Sequence, residues 1–207
     1  MKKVILTTLM FCSILVSSQD FKFGVKGGLN IARLNTTLQT IPGGSTSTTN
    51  VIGMNVGVFG DYKISDKFSL QPELLYSMQG GKATLNVAGQ SLTQTLSLNY
   101  LNIPVMVKYF FTEKINIQTG PQIGLLLSAT DKIDSSITGT PSSSANVKSD
   151  IKSIDVGVNF GFGYDFTENI SISTRYNLGL SEIEKNGSSS SKGSKNKVFS
   201  FGIEYKF

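Results

Sequence analysis

The chain predicts an all-β fold: an eight-stranded antiparallel up-and-down transmembrane β-barrel. Three observations predict it. Apolar residues recur at every second position in eight segments; the links between segments are alternately long and short; and aromatic residues gather at the short-link end of nearly every segment. A period of two sends successive side chains to opposite faces of a strand. Eight two-faced strands with short turns at one end and long loops at the other describe a closed barrel of the bacterial outer membrane.

The length of 207 residues suits one all-β domain. The first residues stand apart from it. Lys2 and Lys3 precede an apolar stretch from Val4 to Val16, followed by the small residues Ser17 and Ser18. This pattern predicts a secretory signal peptide over 1–18, too short to span a bilayer as a helix, and a barrel domain over 19–207. Cys12 lies inside the apolar stretch after Phe11, which does not fit a lipoprotein processing site; the mature chain then has no Cys and no disulfide. Loss of Lys2 and Lys3 lowers the net charge from +5 to +3, too mild to point to nucleic acid. The mature chain holds no long unbroken apolar run, yet the mean hydropathy of the full 207-residue sequence, +0.02, is high for a chain rich in Ser, Thr, Asn and Gly. Strands with one lipid face and one polar face produce that mixture.

Taken in order, the expected strands are 21–34, 51–64, 68–80, 93–110, 115–128, 151–166, 170–181 and 197–207. The second shows the rhythm plainly: Ile52, Met54, Val56, Val58, Tyr62 and Ile64 share one face, and Gly53, Asn55, Gly57, Phe59, Asp61 and Lys63 the other. The short connections are 65–67, 111–114 and 167–169. The long ones are 35–50, 81–92, 129–150 and 182–196; their serine runs and glycines predict mobile loops. Three turns and four loops leave both termini at the turn end, which in outer-membrane barrels is the periplasm. In the fourth strand Leu96, Leu98 and Tyr100 have one parity, and Leu101, Ile103, Val105, Val107 and Tyr109 the other, so a β-bulge is expected near Tyr100–Leu101 to restore the facing. Pro72, Pro104 and Pro121 fall inside strands and donate nothing to a ladder; bends or bulges are expected there.

Three features assign the apolar face to lipid. The turn-end aromatics Phe21, Phe23, Tyr62, Phe68, Tyr109, Phe111, Tyr164 and Phe166, with Tyr205 and Phe207, form the pattern of an interfacial girdle. The opposite face carries Lys22, Lys26, Asp61, Glu73, Lys108, Asp165, Arg175 and Glu204, which would be costly in a small apolar cavity but can pair within a transmembrane lumen. The chain also ends on Ser200, Gly202, Tyr205 and Phe207, spaced like the C-terminal signal read by the outer-membrane assembly machinery.

The stretches Phe23-Gly24-Val25-Lys26-Gly27-Gly28-Leu29-Asn30, Gln71-Pro72-Glu73-Leu74-Leu75-Tyr76, Tyr100-Leu101-Asn102-Ile103-Pro104-Val105, Gly120-Pro121-Gln122-Ile123-Gly124 and Arg175-Tyr176-Asn177-Leu178-Gly179-Leu180 run through the whole mature chain. On these the chain resembles the small outer-membrane β-barrel proteins of Bacteroidota, the porin-like or PorT-like barrel domain family. The resemblance implies an outer-membrane barrel and no particular activity.

The composition excludes much chemistry. With no His and no mature Cys, Ser–His and Cys–His catalysis and zinc or copper sites of His or Cys type have no residues to use. Asp131 with Asp134, and Glu182 with Glu184, read as solvated loop charges. Asp131, Asp134 and Asp150 lack the regular spacing of a calcium loop. No catalytic residue, metal or cofactor is expected. An eight-stranded barrel is just wide enough to be filled by side chains. Lys26, Glu73 and Arg175 face inward at similar heights, so they are expected to meet as a lumen ion cluster in which Glu73 pairs with Arg175 or Lys26. The chain thus reads first as a barrel with a filled lumen, structural or interacting through its four long loops; second as a narrow porin-like channel; third as a soluble ligand-binding barrel. Expected partners are outer-membrane lipid, the assembly machinery and an extracellular partner at the loops.

Overall fold

The computed structural model describes residues 21–34, 44–87, 89–136, 141–185 and 194–207. The expected signal peptide and the serine run at 188–191 lie outside the described residues. Among the described residues there are ten strands: β1 (Phe21–Leu34), β2 (Gly44–Thr49), β3 (Val51–Lys63), β4 (Phe68–Val87), β5 (Gln90–Phe110), β6 (Ile115–Ser135), β7 (Ser143–Asn146), β8 (Ile154–Asp165), β9 (Ile170–Gly179) and β10 (Asn196–Lys206). Eight of them close an antiparallel ring in the order β1-β3-β4-β5-β6-β8-β9-β10, with β10 returning to β1. The short strands β2 and β7 sit outside the ring, on β4 and β6.

The three turns are built alike. Ser65, Thr112 and Thr167 each turn a hydroxyl back to accept from the backbone N–H three residues on, at Phe68, Ile115 and Ile170, over 3.2, 3.0 and 3.0 Å. An acid and then Lys or Asn fill the two positions between (Asp66-Lys67, Glu113-Lys114, Glu168-Asn169). Such hydroxyl turns reverse the chain in few residues and keep the strand register tight.

The loop end departs from expectation. The link 81–92 is not a loop: β4 and β5 run to 20 and 21 residues and keep one register from Phe68↔Tyr109 to Val87↔Gln90. Gly89, at φ 78°, allows the tight reversal. Likewise β6 continues to Ser135, and β2 and β7 form within the expected loops 35–50 and 129–150. At about 3.3 Å per residue and a tilt near 40°, strands of this length rise roughly 50 Å, twice the height of an apolar band of about 25 Å. A five-stranded sheet, β2-β4-β5-β6-β7, therefore projects beyond the barrel wall. The polar Ser and Thr of these segments favour sheet here because both strands of a hairpin satisfy each other's backbone groups.

The facing switch in β5 has a different cause from the one expected. Inward parity is continuous along this strand: Leu98, Tyr100, Asn102, Pro104, Met106 and Lys108 are all buried. What changes is what the interior contains. A register shift does occur at Asn99/Tyr100, but the extra residue is Leu127 of β6, since Asn99 pairs with Ser128 and Tyr100 with Leu126. This bulge lets Leu126 and Ala129, three residues apart, both point inward.

The prolines cause no bulge. Beside Pro72 the β3–β4 pairing steps from Phe59↔Glu73 to Tyr62↔Leu70, and beside Pro104 the β4–β5 pairing steps from Pro72↔Val105 to Leu75↔Asn102. Beside Pro121 the β5–β6 pairing steps from Pro104↔Gln122 to Val107↔Thr119. Each proline removes rungs on one side while the register is kept.

The outer face is apolar around the ring. Leu29, Ile52, Val56, Leu74, Ile103, Ile123, Val156 and Ile203 are all exposed. The girdle aromatics sit at the turn end in contact with one another: Phe23 stacks on Phe207 at 6.2 Å, Phe68 meets Tyr109 at 5.1 Å, Tyr109 meets Phe111 at 5.0 Å, Tyr164 meets Phe166 at 4.9 Å and Tyr205 meets Phe207 at 5.2 Å. Phe21, paired with Tyr62, lays its ring over Gly60, where a Cβ would come within 2.6 Å of it.

Candidate functional site: the barrel lumen

The lumen is stacked in layers, and the lowest closed layer is ionic. Inward parity brings one polar residue from every strand of the ring to a common level: Lys26 (β1), Asp61 (β3), Glu73 (β4), Lys108 (β5), Gln118 (β6), Asp165 (β8), Arg175 (β9) and Glu204 (β10). Lys206 of β10 joins them one level nearer the turns.

Glu73 and Arg175 form the tightest pair. The guanidinium clasps the carboxylate through two parallel bonds, Nη1 to Oε2 and Nη2 to Oε1, both 2.6 Å. This two-pronged geometry is the strong form of a charged hydrogen bond. Arg175 Nε donates to Gln118 Oε1 at 2.9 Å, and Gln71 Nε2 donates to Glu73 Oε1 at 2.6 Å. The Glu73 side chain has no exposure to solvent. Gly161 makes room for this pair: a Cβ there would meet Arg175 Cγ at 2.9 Å.

Lys26 lies 4.0 Å from Glu73, but its close partner is Glu204, at 2.7 Å. Glu204 is the hub. It also accepts from Ser173 Oγ at 2.9 Å, lies 3.4 Å from Lys108 and 3.6 Å from Arg175. The chain of charges continues from Lys108 to Asp61 (3.7 Å), from Asp61 to Lys206 (3.5 Å) and from Lys206 to Asp165 (3.2 Å). Four acids balance four cations, so the lumen buries no net charge at this level. Every ion but Asp165, which pairs with Lys206 alone at the half-buried edge of the layer, has opposite charges on more than one side or further hydrogen bonds, the condition under which buried charges are tolerated.

Of the ions that meet here, Lys26, Glu73 and Arg175 are the expected cluster, and Glu204, expected on the same face, is an addition to it. The missing signal was register: Lys26 and Glu204 are direct partners across β1 and β10, the pair of strands that closes the ring. Lys206, Gln71 and Gln118 were also missed, the two glutamines because neutral residues carry no charge signal.

Above the ions lies an amide layer. Asn55 donates to Asn30 at 2.7 Å, Asn30 to Ser77 at 2.9 Å, Ser200 to Asn30 at 2.8 Å, Asn159 to Gln122 at 3.1 Å and Asn177 to Asn159 at 3.1 Å. The void left here is about 30 Å³. Above it an apolar cluster of Leu34, Leu98, Tyr100, Leu126, Ala129, Ile151 and Ile183 closes the loop end. Ile151 and Ile183 come from loops that bend over the mouth. Lys152 N–H donates to the Ile183 carbonyl at 2.7 Å, and Ile183 N–H to the Ser194 carbonyl at 3.0 Å. Asp155 anchors this lid from below, accepting from Ser181 Oγ at 2.5 Å and Asn196 Nδ2 at 2.7 Å. Below the ions, by contrast, the turn end opens into a vestibule of about 1030 Å³ lined by Lys22, Asp61, Glu113, Asp165 and Lys206 among others.

The C-terminal residues divide by parity. Tyr205 and Phe207 face outward in the girdle, while Ser200 and Gly202 face inward. Ser200 bonds Asn30, and a Cβ at Gly202 would meet Lys26 Cε at 3.1 Å, so both have a packing role in the lumen. Of the loop acids, Asp131 accepts from Gln94 at 2.7 Å and Asp134 pairs with Lys132 at 3.0 Å. Among the described residues no three metal-ligating side chains converge.

Solved structures of similar architecture include Ail, the attachment invasion locus protein of Yersinia pestis (12% identity, 91% of this chain and 100% of that one, TM-score 0.48). Neisserial surface protein A is another (15% identity, 89% and 97%, TM-score 0.49), as is outer membrane protein W of E. coli (15% identity, 90% and 97%, TM-score 0.41). No curated protein matches the chain. The family described as outer membrane protein beta-barrel domain matches residues 17–185, most of the chain and all of its strands but the last. With a closed ring of eight strands, an apolar outer wall and an aromatic girdle, the chain belongs to this outer-membrane β-barrel family.

Proposed function

We propose that this outer-membrane barrel is a closed, non-enzymatic scaffold whose role is structural or is exercised through its projecting loop-end sheet. The observation that carries the reading is the double closure of the lumen: a polar network to which seven ring strands give charges and the eighth, β6, gives Gln118, and an apolar lid formed by Leu98, Tyr100, Ile151 and Ile183. A solute would have to break buried ion pairs and displace packed aliphatic side chains in succession. In this reading residues 1–18 are a removed signal peptide, the turn end and both termini are periplasmic, and Ser200, Gly202, Tyr205 and Phe207 address the chain to the assembly machinery. The extracellular partner binds the sheet β2-β4-β5-β6-β7.

A narrow channel is the second reading, favoured by the vestibule of about 1030 Å³ that reaches up to the ion network from the turn end. Conductance of refolded residues 19–207 in a planar lipid bilayer separates the two. The closed scaffold gives a silent bilayer in which insertion is verified by heat-modifiable migration; reproducible discrete steps would establish a pore instead.

A further inference from the structure

We propose that Arg33 and Lys197 together bind the phosphate of an anionic lipid headgroup at the loop-end interface of the membrane. The register of β1 and β10 sets these two residues directly opposite each other. Both lie on the outward face, in line with Leu29, Ile31, Phe199 and Phe201; Arg33 is exposed and Lys197 half-buried. Like charges directly opposite in a sheet repel. No carboxylate lies on the outward face of β1, β3, β9 or β10. Among the described residues neither side chain takes part in an ion pair or hydrogen bond.

Height identifies the surroundings. Arg33 is ten residues beyond Phe23 of the girdle along β1. At about 3.3 Å per residue and a tilt near 40° that is roughly 25 Å, the height of the apolar band, so the cations stand at the second lipid–water interface. The cross-strand row next to them on the girdle side is aliphatic and aromatic and carries no charge: Ile52, Ile31, Phe199, Tyr176 and Phe160. Snorkelling to the interface accounts for one long cation at this level; two facing each other without an acid call for an anion between them. A phosphate on an acyl chain meets both demands. The chain lies along that uncharged row, and the phosphate accepts from the flat guanidinium fork and from the ammonium. A free phosphate would satisfy only the cations. That the lipid belongs to the outer leaflet rests on the periplasmic placement of the turn end proposed above; the pairing itself does not.

The test is native mass spectrometry of the full barrel in zwitterionic detergent. The probes are bis-phosphorylated lipid A, phosphatidylcholine and inorganic phosphate, each with the wild type and with the double variant Arg33→Gln/Lys197→Gln. The wild type is expected to retain lipid A in preference to phosphatidylcholine and to keep it when inorganic phosphate is added. Two lost charged contacts should weaken retention by about tenfold or more in the double variant. Equal retention by both barrels, each migrating as folded, overturns the proposal, and displacement of lipid A by inorganic phosphate overturns the lipid as occupant. Arg33→Lys/Lys197→Arg, which keeps both charges, should retain lipid A and so separates charge from any folding defect. Protease added to intact cells tests orientation separately: loops cut only after the outer membrane is opened would overturn the outer-leaflet placement and leave the detergent result standing.

Discussion

The two halves of the lumen are walled by the same strands and filled with opposite chemistry. At the turn end the inward residues of β5 and β10 are Lys108, Glu204 and Lys206; at the loop end those of β5 and β6 are Leu98, Tyr100, Leu126 and Ala129. Along β5 the inward parity never breaks, so the difference reflects what lies outside the wall. Where lipid covers the outer face, apolar residues belong there and the interior takes the polar set. Where the strands rise past the bilayer, water covers the outer face and the apolar set moves inside, as in a soluble barrel. The hydrophobic pattern inverts at the interface while the strand runs straight through it.

Three substitutions probe this contrast, the largest effect first. Glu204→Gln removes the hub acid and leaves Lys26 and Lys108 short of their nearest counter-charge. Breaking a buried pair in this way costs about 3–5 kcal/mol, read as a lower denaturation midpoint in reversible urea unfolding from lipid vesicles. A cost under about 1 kcal/mol would mean that the turn-end half is solvated rather than packed. Leu98→Ala at the loop end should cost about 2–3 kcal/mol through a cavity in the lid, with no change in the ion layer. If it costs nothing, the lid is not a packed core and the contrast between the halves fails. Ser181→Ala removes one hydrogen bond to Asp155 and one from Val156 N–H. It should cost about 1 kcal/mol and raise hydrogen exchange at Lys152 and Ile183, whose N–H groups hold the lid, before exchange at the ring strands changes.

The parts of the molecule differ in how legible they were. The ring strands lay open to reading because lipid on one side and a packed lumen on the other force strict alternation, as at Ile52, Met54, Val56 and Val58. The turns were legible from their lengths. The loop-end hairpin of β4 and β5 was not, because Thr84, Asn86, Ser91 and Thr93 fill one face while Leu85 and Leu92 mark the other, an alternation too weak to stand out from loop composition until the two segments pair. The bulge lies at the expected level but on β6, and it does not restore the facing of Leu98 and Tyr100, because the parity change in β5 comes from an interior that turns apolar there and not from an extra residue. In the lumen, charge and parity brought Lys26, Glu73 and Arg175 to one level, and Glu204 escaped because its closeness to Lys26 depends on closure of the ring.

By itself the sequence determined which residues face lipid and which face inward between the turns and the loop-end interface, and where the short turns fall, since these follow from local alternation and from turn chemistry within a few residues; the facing of Leu98 and Tyr100 beyond that interface it did not. Only the tertiary structure decided who pairs with whom across the lumen, that Glu204 rather than Glu73 holds Lys26, that loops carrying Ile151 and Ile183 seal the mouth, and that Arg33 stands opposite Lys197. Each of these depends on the register of strands far apart in the chain and on the shear of a closed barrel, and neither is written in any single strand.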